Sequence, residues 1–385
     1  MKKSSEEFQE IAHCGGDFTI DVRTSLGGVR EVAFGISCMS LGQAAFYAVY
    51  AIQPGIPVET IELGGIGQPW NAPPVPGCVP VFMGSDSHGM FGHQCPICNQ
   101  YWRSRSPSPR WKQTCPYCGL KLKPHETITE KQQRYIEAFC RLYADAVACP
   151  EDKKHVLRMD LLATEALKSG PRQPFYYTEE QQQRLYECRH CGAITDIIGR
   201  YCYCSLCGTH NSADEVEDAI IELRKRVVQP GSHEACVTES VAAFDSCARQ
   251  MAKQLASRIP MTPNRKRDWD QKLFHNLPAF ADGLRTVFDI HVLRGLTEDE
   301  AAFAARMFFR RHVYEHNGGE VDARYIEASG DETVRPKQVI RETRESASRL
   351  LDIIVKISRN LSVGFHEIFP PEAEPIRRKR VRGKA

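Results

Sequence analysis

The sequence predicts a multidomain α+β protein: a β-rich N-terminal segment, two four-cysteine zinc ribbons with intervening helices, and an all-α helical bundle at the C-terminal end. Three observations carry that class. Glycines, prolines and short β-branched runs fill the first ninety residues; four C-x-x-C pairs fall between Cys95 and Cys207; from Glu234 onward, apolar residues recur at helical intervals with no further C-x-x-C. A chain of 385 residues, 42% hydrophobic and 25% charged, has material for roughly two or three domains and is neither fibrous nor disordered.

The balance of 50 basic against 48 acidic residues excludes a uniformly cationic nucleic-acid binder, so any such role must sit in local patches. The longest apolar stretch, residues 44–52, falls short of the roughly 20 residues a membrane span needs, and none is expected. Residues 1–8 lack the apolar core of a signal peptide, which predicts a cytoplasmic protein in a reducing compartment. There, sixteen cysteines favour metal ligation over disulfides.

Residues 1–90 read as a β-rich domain. Runs 18–22 and 29–34 flank Leu26, Gly27 and Gly28, the pattern of two short strands around a turn. Pro73, Pro74, Pro76 and Pro80 interrupt regular structure, and Asp86 and His88 read as a polar turn rather than a catalytic pair. The first ribbon is expected over 91–125 and a helical connector over 126–176. Thr127 and Glu130 have capping-box spacing, followed by Tyr135, Ile136, Phe139, Leu142, Tyr143 and Ala146 at helical intervals. A second connector helix is predicted over 152–168, ahead of Gly170 and Pro171. The second ribbon (177–212) and a helical linker (213–232) lead into an α-domain over 233–370. Its helices are predicted at about 234–258, 268–290, 298–316 and 337–361, the third opening on a capping box of Thr297 and Glu300. Residues 371–385 read as a basic disordered tail with too few apolar side chains to pack.

Cys95 and Cys98 precede Cys115 and Cys118 by sixteen intervening residues; Cys188 and Cys191 precede Cys204 and Cys207 by twelve. A tight turn aims two thiolates at one tetrahedral cation, and two such turns close its coordination with no open position. Both doublets resemble the knuckles of zinc-ribbon modules. Cys202 is a bystander, because only Cys204 makes the C-x-x-C-Gly turn, and His190 and His210 are not counted as ligands. Two structural Zn2+ are expected; since a closed four-thiolate zinc cannot activate water, no catalytic cofactor is.

Between the first knuckles lie Trp102, Arg103, Arg105, Arg110, Trp111 and Lys112, and no Asp or Glu occurs over residues 87–125. Cations interleaved with aromatics suit single-stranded nucleic acid. The same tryptophans would equally serve as the core of a module too small to have another.

Arg311, His312 and His316 fall at the end of the helix opened by Thr297, in an R-x4-H arrangement followed by the stop signals Asn317, Gly318 and Gly319. Carbonyls at a helix C-terminus attract positive charge, Arg311 offers a bidentate fork for phosphate oxygens, and His312 lies one turn from His316. A guanidinium that steadies a pentavalent phosphate and an imidazole that moves a ribose 2′-hydroxyl proton suffice for RNA cleavage without a catalytic metal. The bland reading of the same residues is a surface ion-pair cluster with Glu315 and Glu320.

At these residues the sequence resembles the HEPN superfamily, helical proteins whose nuclease members carry R-x4-6-H. The likeness covers about 234–365. It implies a four- or five-helix bundle, a homodimer that brings two motifs to one cleft, Arg311 and His316 as the catalytic pair with His312 auxiliary, and an RNA substrate. Many members are ribonuclease toxins or antiviral defence effectors; others only bind nucleotides, RNA or proteins. The expected function is a metal-independent endoribonuclease whose ribbons bind nucleic acid or a regulatory protein partner. The rival is a non-enzymatic zinc-ribbon scaffold whose α-domain only dimerises.

Overall fold

A computed structural model describes residues 16–38, 46–62, 70–85, 89–105, 112–167, 183–270 and 276–382. The chain divides into two compact units, one of Met1–Gly208 with Glu372–Ala385 and one of Thr209–Pro371. Asp86, His88, Arg110 and Trp111 lie outside the described residues.

In the first unit, β1 (Gly16–Thr24) and β2 (Arg30–Cys38) pair around the expected glycine turn, where Gly28 adopts a φ of 75° that suits glycine. Alternation along β1 turns Phe18, Ile20 and Val22 inward. A second antiparallel sheet has the order β4-β3-β5, from β3 (Phe46–Ile52), β4 (Ile56–Thr60) and β5 (Val79–Gly84). Helix α1 (Glu130–Ala148) closes the core: Tyr135, Ile136 and Phe139 pack among Phe18, Val49, Val81 and Phe82, with Phe18 and Phe139 rings 4.9 Å apart. Truncating such an aromatic costs about 3–5 kcal/mol.

Two local expectations change here. The cap of α1 is Thr129 with Gln132, not Thr127 with Glu130: Gln132 N–H donates to Thr129 Oγ1 at 3.2 Å and Thr129 N–H to Gln132 Oε1 at 3.0 Å. Thr127 ends a 3-10 turn (Pro124–Thr127) and meets His93 Nδ1 at 3.1 Å instead. The helix predicted over 152–168 divides into a strand, Lys153–Arg158, and a helix, Met159–Leu167. The free edge of β1 supplies ladder partners from Asp17↔Arg158 to Val22↔Lys153, a long-range pairing that overrides local helix preference.

The cysteine modules share one four-stranded sheet. Two of its strands, β6 (Met90–Gln94) and β7 (Tyr101–Arg105), come from the first module, followed in the chain by the short pair β8 (Gln113–Thr114) and β9 (Lys121–Leu122). The strand Lys153–Arg158 is β10, and β11 (Gln183–Glu187) and β12 (Ile194–Ile198) belong to the second module. β12 joins β7 antiparallel, Thr195 opposite Ser104 and Asp196 opposite Arg103, giving the order β11-β12-β7-β6.

With Met159–Leu167 as α2, the second unit is a helical bundle of α3 (Ser212–Arg226), α4 (His233–Arg258), α5 (Pro263–Asp270), α6 (Leu277–Phe288), α7 (Glu298–His316), α8 (Ala323–Ser329) and α9 (Arg344–Ile368). Helix α3, expected from sequence as a helical linker, packs on α4 and α9. Phe244 sits edge-on to Phe280 and Phe308, with centroids 6.3 and 5.7 Å away. Gly364 lets α9 approach Ile290, whose Cγ2 would lie 2.7 Å from an added Cβ. The helix predicted over 268–290 is two, since Asn276 caps a new start by accepting from Ala279 N–H at 3.1 Å. The one predicted over 337–361 starts later, at the Thr343–Ser346 capping box; Lys337, with a φ of 64°, is outside helical geometry.

The tail expected to be disordered forms α10 (Ala373–Arg382), part of the first unit. Pro375 is buried, Ile376 packs on the cysteine cluster, and Lys379 donates to backbone carbonyls of the second module. Docking to carbonyls needs no apolar face, which is why composition did not reveal it.

Candidate metal centres and anion site

Each C-x-x-C forms a turn closed by a backbone hydrogen bond from the residue four beyond its first cysteine: Asn99, Gly119, Gly192 and Gly208 donate to Cys95, Cys115, Cys188 and Cys204 at 2.9, 3.0, 2.8 and 2.9 Å. All four donors hold positive φ, between 54° and 75°. Three are the glycines this conformation favours; Asn99 is the residue type that next best tolerates it.

These turns gather Cys95, Cys98, Cys115 and Cys118 into one group and Cys188, Cys191, Cys204 and Cys207 into another, all sulfurs within 4.8 Å of one another. Cys95–Cys118 and Cys98–Cys115 are both 3.7 Å apart; Cys188–Cys207 and Cys191–Cys204 are 3.7 and 3.4 Å. A tetrahedron of sulfurs about 2.3 Å from zinc has edges of about 3.8 Å. Each group could therefore hold one metal ion, consistent with structural zinc. The charge chemistry agrees: the hydrogen bond from the Cys115 thiol draws Cys118 down to about 5, while the same bond and burial push Cys115 up. Four such sulfurs ionise together only around a cation. Cys202 is buried beside the second group without belonging to it.

Trp102 and Arg103 are not the nucleic-acid contacts predicted for them. Joining β7 to β12 places both inside: Trp102 is fully buried and stacks on His93 at 5.2 Å, and Arg103 Nε lies 3.8 Å from Asp196 Oδ2 with both side chains buried. Tyr117 Oη, accepting from Ile198 N–H at 3.0 Å, further ties the two modules. Arg105 and Lys112 are exposed. Burial holds His93, between Thr127 and Ser104 hydroxyls, neutral down to about 3.

In the second unit, the Thr297–Glu300 capping box opens α7 and Asn317, Gly318 and Gly319 end it, as the sequence predicts. Arg311 Nη2 lies 2.9 Å from Glu315 Oε2, and His316 Nε2 lies 3.9 Å from that same oxygen. His312 and His316 rings are 4.5 Å apart. Three cation-forming side chains thus lie together at the end of one helix, with Arg311 paired to Glu315 and His316 farther from the same oxygen. Glu320, the other carboxylate of the ion-pair reading, forms a backbone bridge with Val339. Comparison with known proteins gives no match. No protein family, curated protein or solved structure resembles the chain closely enough to assign it. Among the described residues, no helix is long and apolar enough to cross a membrane.

Sequence reasoning overlooked Arg310. Its guanidinium reaches Asp331 and Glu342, each at 3.0 Å, and both carboxylates are essentially unexposed. Tyr325 donates to Asp331 at 2.6 Å and Tyr314 to Glu342 at 2.6 Å. Burial pushes the Asp331 carboxyl up, but hydrogen bonds from Thr333, Tyr325 and Arg310 outweigh it and bring it down to about 2. This network fixes the end of α7 against the segment before α9, and so holds the backbone that carries Arg311 and His316.

Proposed function

We propose that the second unit is a metal-independent endoribonuclease of HEPN type, and that the two four-cysteine groups hold structural zinc. The reading rests on one observation: Arg311 Nη2 lies 2.9 Å and His316 Nε2 3.9 Å from the same carboxylate oxygen of Glu315, so both groups sit close to one anionic oxygen. In the reaction a phosphodiester oxygen takes that place. Arg311 stabilises the charge that develops on the phosphate. His316 removes the ribose 2′-hydroxyl proton as that oxygen attacks phosphorus; the P–O5′ bond breaks, and protonated His312 gives its proton to the leaving 5′ oxygen. The products are a 2′,3′-cyclic phosphate and a 5′-hydroxyl. On this reading the protein works in the cytoplasm as a homodimer, under the control of a regulatory protein partner, as a toxin or defence effector.

The Arg311–Glu315 pair also favours the non-enzymatic alternative, in which the cluster is a solvated ion pair and the unit only dimerises. End analysis of labelled RNA separates the two. With no divalent ion beyond the bound zinc, wild type should leave cyclic phosphate ends, and Arg311→Ala and His316→Ala should leave the RNA intact while still folding. Intact RNA with wild type, or equal cleavage by all three, assigns the cluster to the alternative.

A further inference from the structure

Helix α10 bridges both knuckles of the second four-cysteine group. Just ahead of it, Glu372 N–H donates to the Cys207 carbonyl at 2.8 Å; two turns along, Lys379 Nζ donates to the carbonyls of Cys188 and Arg189 at 3.3 and 3.0 Å. The Lys379 stem passes over Gly192, where an added Cβ would sit 3.5 Å from its Cδ. With Pro375, Ile376 and Lys379 turned inward, Arg377, Arg378 and Arg380 are exposed. Arg189 is exposed beside the Lys379 anchor. Arg105, exposed at the end of β7, follows Ser104, which pairs with Thr195, three residues beyond Gly192.

Folding therefore gathers like charges. Residues 372–385 carry six Lys or Arg against Glu372 and Glu374, and Glu372 is engaged by Lys121 at 2.7 Å, Glu374 by Arg377 and Arg378. Clustered exposed arginines attract a polyanion, and their forks match phosphate oxygens. We propose that Arg105, Arg189, Arg377, Arg378 and Arg380 form the surface on which the phosphate backbone of single-stranded RNA is held. This deepens the RNA reading of the preceding subsection and rests on it. Contact is through phosphate; Trp102, buried, offers no face for a base. Binding is sequence-blind and salt-sensitive.

The test is anisotropy of a labelled 2′-O-methyl oligouridylate, which lacks the attacking hydroxyl, on the full chain across 50–200 mM salt. The triple variant R377E/R378E/R380E should bind at least tenfold more weakly, with the slope of log affinity against log salt shallower by about 2, at roughly 0.7 per lost phosphate contact. Should that variant lose its metal or its fold, R105Q/R189Q gives the same readout with α10 untouched and should flatten the slope by about 1.4. Unchanged slopes in well-folded variants overturn the proposal. So does equal displacement by polyglutamate of the same charge, which assigns the face to an acidic protein, and so does preference for DNA of the same sequence. Weaker binding in the variants alongside a wild type that never cleaves RNA would sink the nuclease reading and leave this surface standing; cleavage with unaltered binding would do the reverse.

Discussion

Arg310 Nη2 lies 3.0 Å from Asp331 Oδ2, whose side chain has no exposed surface, while the next residue, Arg311, reaches out to Glu315 at the helix surface. Neighbouring helical positions point about 100° apart, so one arginine serves the fold and the other is available for chemistry. Replacing Arg310 by Met leaves Asp331 and Glu342 buried without their cation. A loss of about 3–5 kcal/mol in urea unfolding is expected, against less than about 1 kcal/mol for Arg311→Met. Equal losses would contradict this division.

His210 supplies a pH dependence. Burial, reinforced by the positive charges of His366 and Arg258, brings its imidazole down to about 3, and Ser212 Oγ lies 2.7 Å from Nδ1. Its folded value lies below the unfolded 6.5, so the stability tied to the neutral ring is complete above pH 6.5 and is lost as pH falls toward 3. The slope is up to about 1.4 kcal/mol per pH unit. Urea midpoints of wild type and His210→Asn, compared from pH 7 to 5, should converge as pH falls; parallel profiles would contradict the assignment.

For the two four-cysteine groups, elemental analysis should give two zinc ions per chain. Cys98→Ser should lower that to one and destabilise the first unit by several kcal/mol. Cys202→Ser, which alters a buried thiol outside the group, should leave the metal content at two. Loss of zinc in the Cys202 variant would show the ligand set to be different.

How much of this was legible depended on whether the determining contact was local. C-x-x-C turns and the Thr297–Glu300 cap are complete within a few residues, so the sequence displayed them directly. The strand at Lys153–Arg158 exists because β1 offers a free edge more than a hundred residues earlier in the chain. Trp102 and Arg103 are buried because a second module adds its strand to the first, and nothing in residues 95–118 records that pairing. Arg310 could not be told from Arg311 without knowing that Asp331 and Glu342 meet it. α10 is held through carbonyls of Cys188, Arg189 and Cys207, acceptors that every residue type provides.

The central claim is that Arg311 and His316 act together on one phosphodiester, and a double-variant cycle on single-turnover RNA cleavage tests it most directly. Each of Arg311→Ala and His316→Ala should slow cleavage about 100-fold or more, and the double variant should be no slower than the worse single one, as for residues that act as a unit. Cleavage within a few-fold of wild type in both single variants, with the helical unit still folded, would contradict it.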